Sequence, residues 1–543
     1  MAFKTIEITW VTVTSCIIDL KYSVKNISAF PSQATLMYSE EEDEEVTEAS
    51  EALEVSCISV DSSEVTDETF PSEAASCAFA QSTAPLFRLA DIEQVIQEYG
   101  RLVEKFQFDQ ARETIEQYTQ STSKPVMIIN EKDVCWAALL SALAMIANCD
   151  KNYYLLSFLQ PKAFFRKENA LKNQYYQISE KLLRASPSTP LSEASTSSST
   201  STAEQILTQC REYVLARVEM ISIYTTIASL ANDRVILWDS LHARGVRVSE
   251  MLKSCQHPSL FSMAHLLSGE IDVLLLLVSA QIHISNCKMF ESLLQLKEIR
   301  ERFDFWIRDS HCLNPVNKSV FYFFRSNEKL PRNRLINWLI QFYNLLMAKF
   351  SLYFTNVLAN FCSVDDMKTV HTIDNGYNFI SNANQLLKKT DAACLAIVMD
   401  REKCADNFYG FGYHRLQDRF TPGAPTEPRK GVAALCPAVF RLPSPTEGHK
   451  SAQSHNDVFE KYQEHIYAFI ESNLRHPSRS KYFYDAEKDH CMFGDIVEAK
   501  LYIVVVYNGR VCERDATVLT FIQHMTTSLR GSRLFLSLKN AAK

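Results

Sequence analysis

Few residues of this chain combine the types and spacing that chemistry requires, and each group can be weighed by what its reaction would demand. Gly410-Phe-Gly-Tyr-His414 offers two glycines and an imidazole, the beginning of a phosphate-cradling turn. A dinucleotide loop needs a third glycine and an immediate helix, so that backbone N–H groups face the phosphates. Tyr413-His-Arg415 follows instead, and no acidic ribose partner is evident. Gly410, Gly412, Tyr413 and His414 therefore read as a structural turn or a partner-facing loop. His414 with one of the 15 cysteines would make a thiol nucleophile pair, yet nothing marks any cysteine, Cys394 included, as activated. Asp489-His-Cys491 supplies half of a metal shell, and one short cluster without a second cannot close a tetrahedron. The aromatic run Phe321-Tyr-Phe-Phe-Arg325 lies between helical stretches, which makes Phe321, Tyr322 and Phe323 candidates for a protein interface. The reading predicts no catalytic residue, no cofactor and no metal ligand.

Composition narrows the classes further. Glycine occurs 12 times in 543 residues, well below the usual share of about 7%. Phosphate loops and all-β folds both consume glycine, so its scarcity favours helices and disfavours a nucleotide enzyme. The net charge is −8 and no basic stripe is interleaved with aromatics, which excludes direct nucleic-acid binding as an expectation. The cysteines stand singly, without a Cys-x-x-Cys pair, as reduced thiols of an intracellular protein do. Met1–Leu20 lacks a clean signal-peptide pattern, and the apolar run Ile271–Ile284 is too short to span a bilayer. No transmembrane segment and no direct membrane insertion are expected.

Three regions follow from patterning. Residues 1–85 are rich in Glu, Asp, Ser and Thr, with no Lys or Arg from Glu40 to Glu73, and are expected to form a disordered acidic segment. Residues 86–390 show helical spacing. Ile92, Val95, Ile96, Tyr99, Leu102, Val103 and Phe106 mark a first amphipathic helix and Ala111–Tyr118 a second. Further helices are predicted over Asn130–Phe158, Lys167–Leu183, Ala203–Leu230, Leu260–Ser285 and Lys288–Asp309, then from Pro331 to about Leu358. A Ser/Thr-rich loop at 185–202, open to phosphorylation at its Ser-Pro and Thr-Pro steps, interrupts this bundle. From Asp391 the pattern changes. Cys394–Met399, Ala438–Leu442, Lys481–Asp485 and the β-branched, aromatic Leu501–Tyr507 read as strands, the last as central. Val458–Asn473 and a helix capped by Asp515 complete a β-β-α-β-β-α unit over 391–543. The fold class is α+β: an all-α helical bundle followed by a smaller domain with a mainly antiparallel sheet.

The C-terminal half resembles the KICSTOR complex subunit 2 family. The resemblance rests on Leu345-Leu-Met-Ala-Lys-Phe-Ser-Leu-Tyr-Phe354, Asp366-Met-Lys-Thr369, Asp391-Ala-Ala393, Gly410-Phe-Gly-Tyr-His414, Lys430-Gly-Val432, Pro437-Ala-Val439, Glu513-Arg-Asp515 and Leu534-Phe-Leu-Ser-Leu-Lys539, in matching order and approximate spacing. A looser likeness covers about Ile92–Leu183. Residues 1–85, the Ser/Thr loop and the stretch around Thr421–Pro428 depart from the pattern, as in a divergent member. The resemblance implies a scaffold without enzymatic activity. Its partners would be kaptin-like, FG-GAP-repeat and seizure-threshold-like subunits. The complex would place the GATOR GTPase-activating complex on the lysosomal surface and restrain target-of-rapamycin complex 1 when amino acids or glucose run short. The C-terminal unit is similar to roadblock or longin-like domains, so a trafficking adaptor or GTPase-pairing module is the alternative.

Overall fold

The computed structural model describes residues 89–122, 131–156, 170–186, 202–233, 235–309, 333–358, 377–402, 404, 406–411, 427–443, 458–476 and 480–540. The proposed acidic segment at 1–85 lies outside these residues, as does most of the Ser/Thr-rich loop. Helices dominate the chain up to Asp391: α1 (Leu89–Glu104), α2 (Phe108–Thr122), α3 (Glu131–Tyr154), α4 (Ala170–Ala185), α5 (Thr202–Ser229), α6 (Trp238–Leu252), α7 (Phe261–Ser285), α8 (Met289–Asp309), α9 (Arg334–Tyr353) and α10 (Phe379–Thr390). Sequence periodicity locates most of these within a few residues, but misses α6 and α10. Helix α9 breaks at Phe354, and a short helical segment, Thr355–Leu358, carries the chain to the end the sequence implies. Asn333 caps α9 by accepting the N–H of Ile336 at 3.0 Å. At its far end Thr355 Oγ1 donates to the carbonyls of Ser351 and Leu352, competing with the helical bonds there, and Phe354 leaves helical geometry.

Helices α3, α5 and α7 are apolar on most sides because neighbours surround them. By length and composition alone, Val134–Tyr154, Thr202–Asn232 and Pro258–Ser285 could each cross a membrane. The apolar run Ile271–Ile284, interrupted by Asp272, is only part of the last of these windows. In the fold more than half of each window is buried within the protein, at 56, 61 and 56%. We read these helices as the centre of the bundle.

Asp391 terminates α10 in the left-handed region, at φ 50°, and the chain enters the sheet. Strands β1 (Cys394–Met399), β2 (Ala438–Leu442), β3 (Tyr482–Asp485), β4 (His490–Glu498) and β5 (Leu501–Asn508) pair antiparallel throughout, in the order β2-β1-β5-β4-β3. The expected central position of Leu501–Tyr507 is what the sheet shows. Helix α11 (Val458–Phe469) covers one face, while α12 (Ala516–Leu529) and α13 (Ser532–Asn540) follow β5. Asp515 caps α12 through the N–H of Val518 at 3.0 Å, as its position in the sequence suggests.

The alternation of side chains along the strands divides the core. Leu395, Ile397, Phe493, Leu501, Ile503 and Val505 join the same apolar cluster as the bundle helices, which runs without interruption from Ile92 to Leu538. Cys394, Ala396, Val398, Met492, Tyr502, Val504 and Val506 form a second cluster with Phe459, Ile466 and Phe469 of α11. Helix α13 turns back into the bundle. Its Phe535 ring lies 5.6 Å from Trp238 and 5.5 Å from Phe342, and Trp338 Nε1 donates to the Leu534 carbonyl at 2.9 Å. Gly531 makes this reversal possible: its φ is 76°, and a Cβ there would stand 2.8 Å from Leu345.

Candidate functional site

Three polar constellations stand out among the described residues, and each is built by elements far apart in sequence. The first is at the centre of the bundle. Helix α5 is apolar enough to be engulfed, yet it carries Arg217, which is fully buried. Arg217 Nη1 donates to Glu270 Oε2 of α7 at 2.9 Å, and its Nε lies 3.3 Å from Asp150 of α3. Its Nε and Nη2 donate to the hydroxyls of Tyr213 and Tyr154 at 3.0 and 3.1 Å. The guanidinium carbon sits 4.5 Å from the Tyr153 ring centre. The hydroxyls of Tyr153 and Tyr224 donate to Glu270, and those of Tyr175 and Tyr213 to Asp150.

Burial pushes the hydroxyls of Tyr153, Tyr154, Tyr175, Tyr213 and Tyr224 well above their ordinary pKa. Burial also pushes the Glu270 carboxyl up, against the opposing pull of Arg217 and the Tyr153 and Tyr224 hydroxyls. Arg217 stays charged: burial opposes the cation, but Asp150 and the groups around it outweigh that and hold its pKa above the usual range. With the guanidinium and both carboxylates at 0% exposure, no substrate reaches them. The arrangement fixes how α3, α4, α5 and α7 register against one another, the role best matched to a buried, fully bonded ionic network.

The second constellation joins bundle to sheet. Lys349 of α9 is buried against Glu498 at the end of β4 and donates to Gln281 Oε1 of α7 at 2.8 Å. Gln281 Nε2 in turn donates to Ser285 Oγ at 2.6 Å and lies 3.3 Å from Glu498 Oε1. Burial lowers the Lys349 pKa, while Glu498 pulls it back up. Arg530, beyond α12, donates to the carbonyls of Val497 and Ile496 beside the same strand end. The end of β4, where the register with β5 shifts between Ile496 and Glu498, is thereby held by α7, α9 and α12 together.

The third constellation lies on the other face of the sheet. The β3–β4 register sets Asp485 directly opposite His490, and His465 of α11 packs over them with its ring centre 4.8 Å from that of His490. One ring nitrogen from each imidazole and a carboxylate oxygen of Asp485 lie within 4.8 Å of one another. Asp485 Oδ1 accepts the N–H groups of Glu487 and Lys488, which holds its carboxylate in place. His490 is 2% exposed, and neither its Nε2 nor His465 Nδ1 has a hydrogen-bond partner. An orphaned buried nitrogen costs about 1–3 kcal/mol. Burial lowers the His465 pKa, and the neighbouring Lys488 and His490 lower it further. The turn residue Lys488 places its ammonium against His465 Nε2. In the sequence His490 stands only in the half shell Asp489-His-Cys491, of which neither Asp489 nor Cys491 belongs to this group. The other members, His465 and Asp485, come from α11 and β3, and only the hairpin pairing could have indicated Asp485.

Of the residues singled out from the sequence, Gly410 is described, with φ 142°. It follows Phe408, whose ring lies 4.5 Å from the Arg401 guanidinium and 5.1 Å from the Phe411 ring. Gly412, Tyr413, His414, Phe321, Tyr322 and Phe323 lie outside the described residues. Cys394 is buried within β1. Burial pushes the thiols of Cys149 and Cys436 up to about 12, and those of Cys210 and Cys287 upward as well. None of these four is an activated nucleophile.

The family model for KICSTOR complex C12orf66-like proteins matches residues 89–543, and so spans all three constellations. The chain belongs to this family. KICSTOR subunit 2 of Danio rerio is 26% identical over 458 residues, covering 83% of this chain and 96% of that protein. KICSTOR subunit 2 of Xenopus laevis is 25% identical over 467 residues, covering 83% of this chain and 97% of that protein. The KICSTOR family match starts at the first residue of α1 and includes the sequence blocks from Leu345–Phe354 to Leu534–Lys539 on which the resemblance was read.

Proposed function

We propose that this chain is a non-catalytic subunit of a KICSTOR-like complex, a scaffold that meets several protein partners at once. The observation that carries the reading is the family match over 89–543, together with near-complete coverage of relatives named KICSTOR subunit 2. The partners in this reading are kaptin-like, FG-GAP-repeat and seizure-threshold-like subunits and the GATOR complex. The chain works at the lysosomal surface, placed there by its partners, and its complex restrains target-of-rapamycin complex 1 when nutrients are withdrawn. The architecture supports a bridging role: one apolar core ties a helical bundle to an antiparallel sheet, so two unlike surfaces are carried in one folded body. The strand order and the helices on both faces of the sheet favour a roadblock or longin-like module that pairs with a similar fold.

The test is deletion of the gene followed by amino-acid withdrawal, reading phosphorylation of the kinase's substrates and the position of GATOR. We expect phosphorylation to persist and GATOR to leave lysosomes. If both respond normally while the remaining subunits still assemble, the scaffold reading fails. Recovery of vesicle-coat or GTPase partners instead of KICSTOR-type subunits on affinity purification would favour a trafficking adaptor.

A further inference from the structure

We propose that His465, His490 and Asp485 bind a divalent zinc-type cation that ties α11 to the β3–β4 hairpin. Nothing in the family assignment bears on this site. The three side chains come from three elements, and their ligand atoms already lie within 4.8 Å of one another. Coordination at about 2.0–2.2 Å from each ligand requires these atoms to draw closer together than they stand. His490 is the independent pointer: it is more than nine-tenths buried, a ring nitrogen of it lies in the cluster, and its Nε2 has no hydrogen-bond partner. His465 Nδ1 is likewise unpartnered.

The donor set selects the ion. Two imidazoles and one carboxylate suit zinc over magnesium or calcium, which take oxygen ligands. At nitrogen and oxygen sites zinc also outcompetes ferrous iron and manganese. A fourth position remains for water, since Tyr462, which packs 5.7 Å from the His490 ring, already donates its hydroxyl to Asn508 Oδ1. The groups facing the cluster are of both signs: Asp485, Glu464 and Lys488 lie around His465. Lys488 is the competitor. Its ammonium contacts His465 Nε2, so its positive charge stands on the same imidazole and opposes a bound cation. Lys488 sits on the hairpin turn, so its side chain can swing into solvent, and its removal favours the metal.

The experiment uses the full chain, stripped with chelator and kept reduced, titrated with Zn²⁺ by calorimetry and with Co²⁺ by visible absorption. The expected result is one equivalent bound, with Co²⁺ d–d bands and no thiolate charge-transfer band, since no cysteine ligates. His490→Gln and Asp485→Asn should each weaken binding at least about tenfold. Asp485→Asn, the more exposed site, serves as the second variant if His490→Gln fails to fold. Lys488→Met should tighten binding several-fold, an effect that a purely structural histidine pair would not produce. Absence of stoichiometric binding overturns the proposal. So does a thiolate charge-transfer band, or an affinity unchanged in both His490→Gln and Asp485→Asn.

Discussion

Replacing Arg217 by Met removes the cation that pairs with Asp150 and Glu270 while preserving much of the side-chain volume. At an effective dielectric of about 20, contacts of 2.9 and 3.3 Å correspond to about 5 kcal/mol each before opposing terms are counted. Desolvation of the guanidinium and repulsion between the two carboxylates offset most of this. Removing one partner of a buried ionic network typically costs about 3–5 kcal/mol, a large fraction of the roughly 5–15 kcal/mol that stabilises a folded protein. The pH dependence is the sharper test. Glu270 has a folded pKa above its unfolded value, and Arg217 is the strongest influence holding it down. Without Arg217 it rises further. The folded state of the variant then binds more protons than the unfolded state. Its stability is greatest below the unfolded pKa of about 4.3 and falls by up to about 1.4 kcal/mol per pH unit as pH climbs through the folded pKa. Urea midpoints of Arg217→Met and wild type, compared from about pH 5 to about pH 8, should therefore diverge as pH rises. A triple variant with Asp150→Asn and Glu270→Gln removes the stranded charges and should recover most of the loss. A single variant within about 1 kcal/mol of wild type, or a pH-independent gap, or a triple no better than the single, would refute the electrostatic account.

Two further perturbations probe the junction and the bundle. Glu498→Ala strands the Lys349 ammonium, whose folded pKa is already below its ordinary value and falls further without its partner. The loss should be about 3–5 kcal/mol near neutrality. Because the unfolded state binds more protons, stability should return as pH rises toward the unfolded lysine pKa of about 10.4, a trend that urea midpoints across alkaline pH would check. Gly269→Ala should destabilise by about 1–3 kcal/mol in thermal unfolding although alanine is the better helix former by about 1 kcal/mol, because its Cβ would stand 2.8 Å from Trp306 Nε1 and 2.9 Å from Cγ.

What the sequence discloses depends on whether a residue's partners are near it in the chain. Strand β5 is legible because Ile503-Val-Val-Val506 is β-branched throughout, and such a run has few other places to go. Strand β4 escaped because Gly494 and Asp495 interrupt it, and glycine in a strand weakens the local signal. The fold supplies the reason for Gly494: a Cβ would press on Leu474 and Phe469 at the end of α11, at 2.8 and 3.0 Å. Helical spacing placed α5 almost to the residue, but Arg211 and Arg217 look alike on paper. In the fold Arg211 is one-third exposed beside Glu212, whereas Arg217 is buried between two helices that begin far away in sequence. The metal-ligand cluster is hidden for the same reason, since His465, Asp485 and His490 meet only once β3 pairs with β4 and α11 lies across them.

Sequence patterning changes sharply at Asp391, and that change is real in secondary structure, but the core does not follow it. One face of the sheet belongs to the bundle's apolar cluster, Lys349 and Glu498 pair across the boundary, and α13 returns to pack Phe535 against Trp238 and Phe342. Period and propensity report on neighbours along the chain, so they locate elements and the point where one kind gives way to another. They are silent on which faces meet. In a protein read as a scaffold this distinction matters, because a bridging subunit must hold the orientation between its partner surfaces, and that orientation is set by the contacts across Asp391. Substitutions at Lys349, Glu498, Trp338 or Phe535 would therefore reach partner binding without touching a partner, and loss of assembly in such variants would report on the junction and not on an interface.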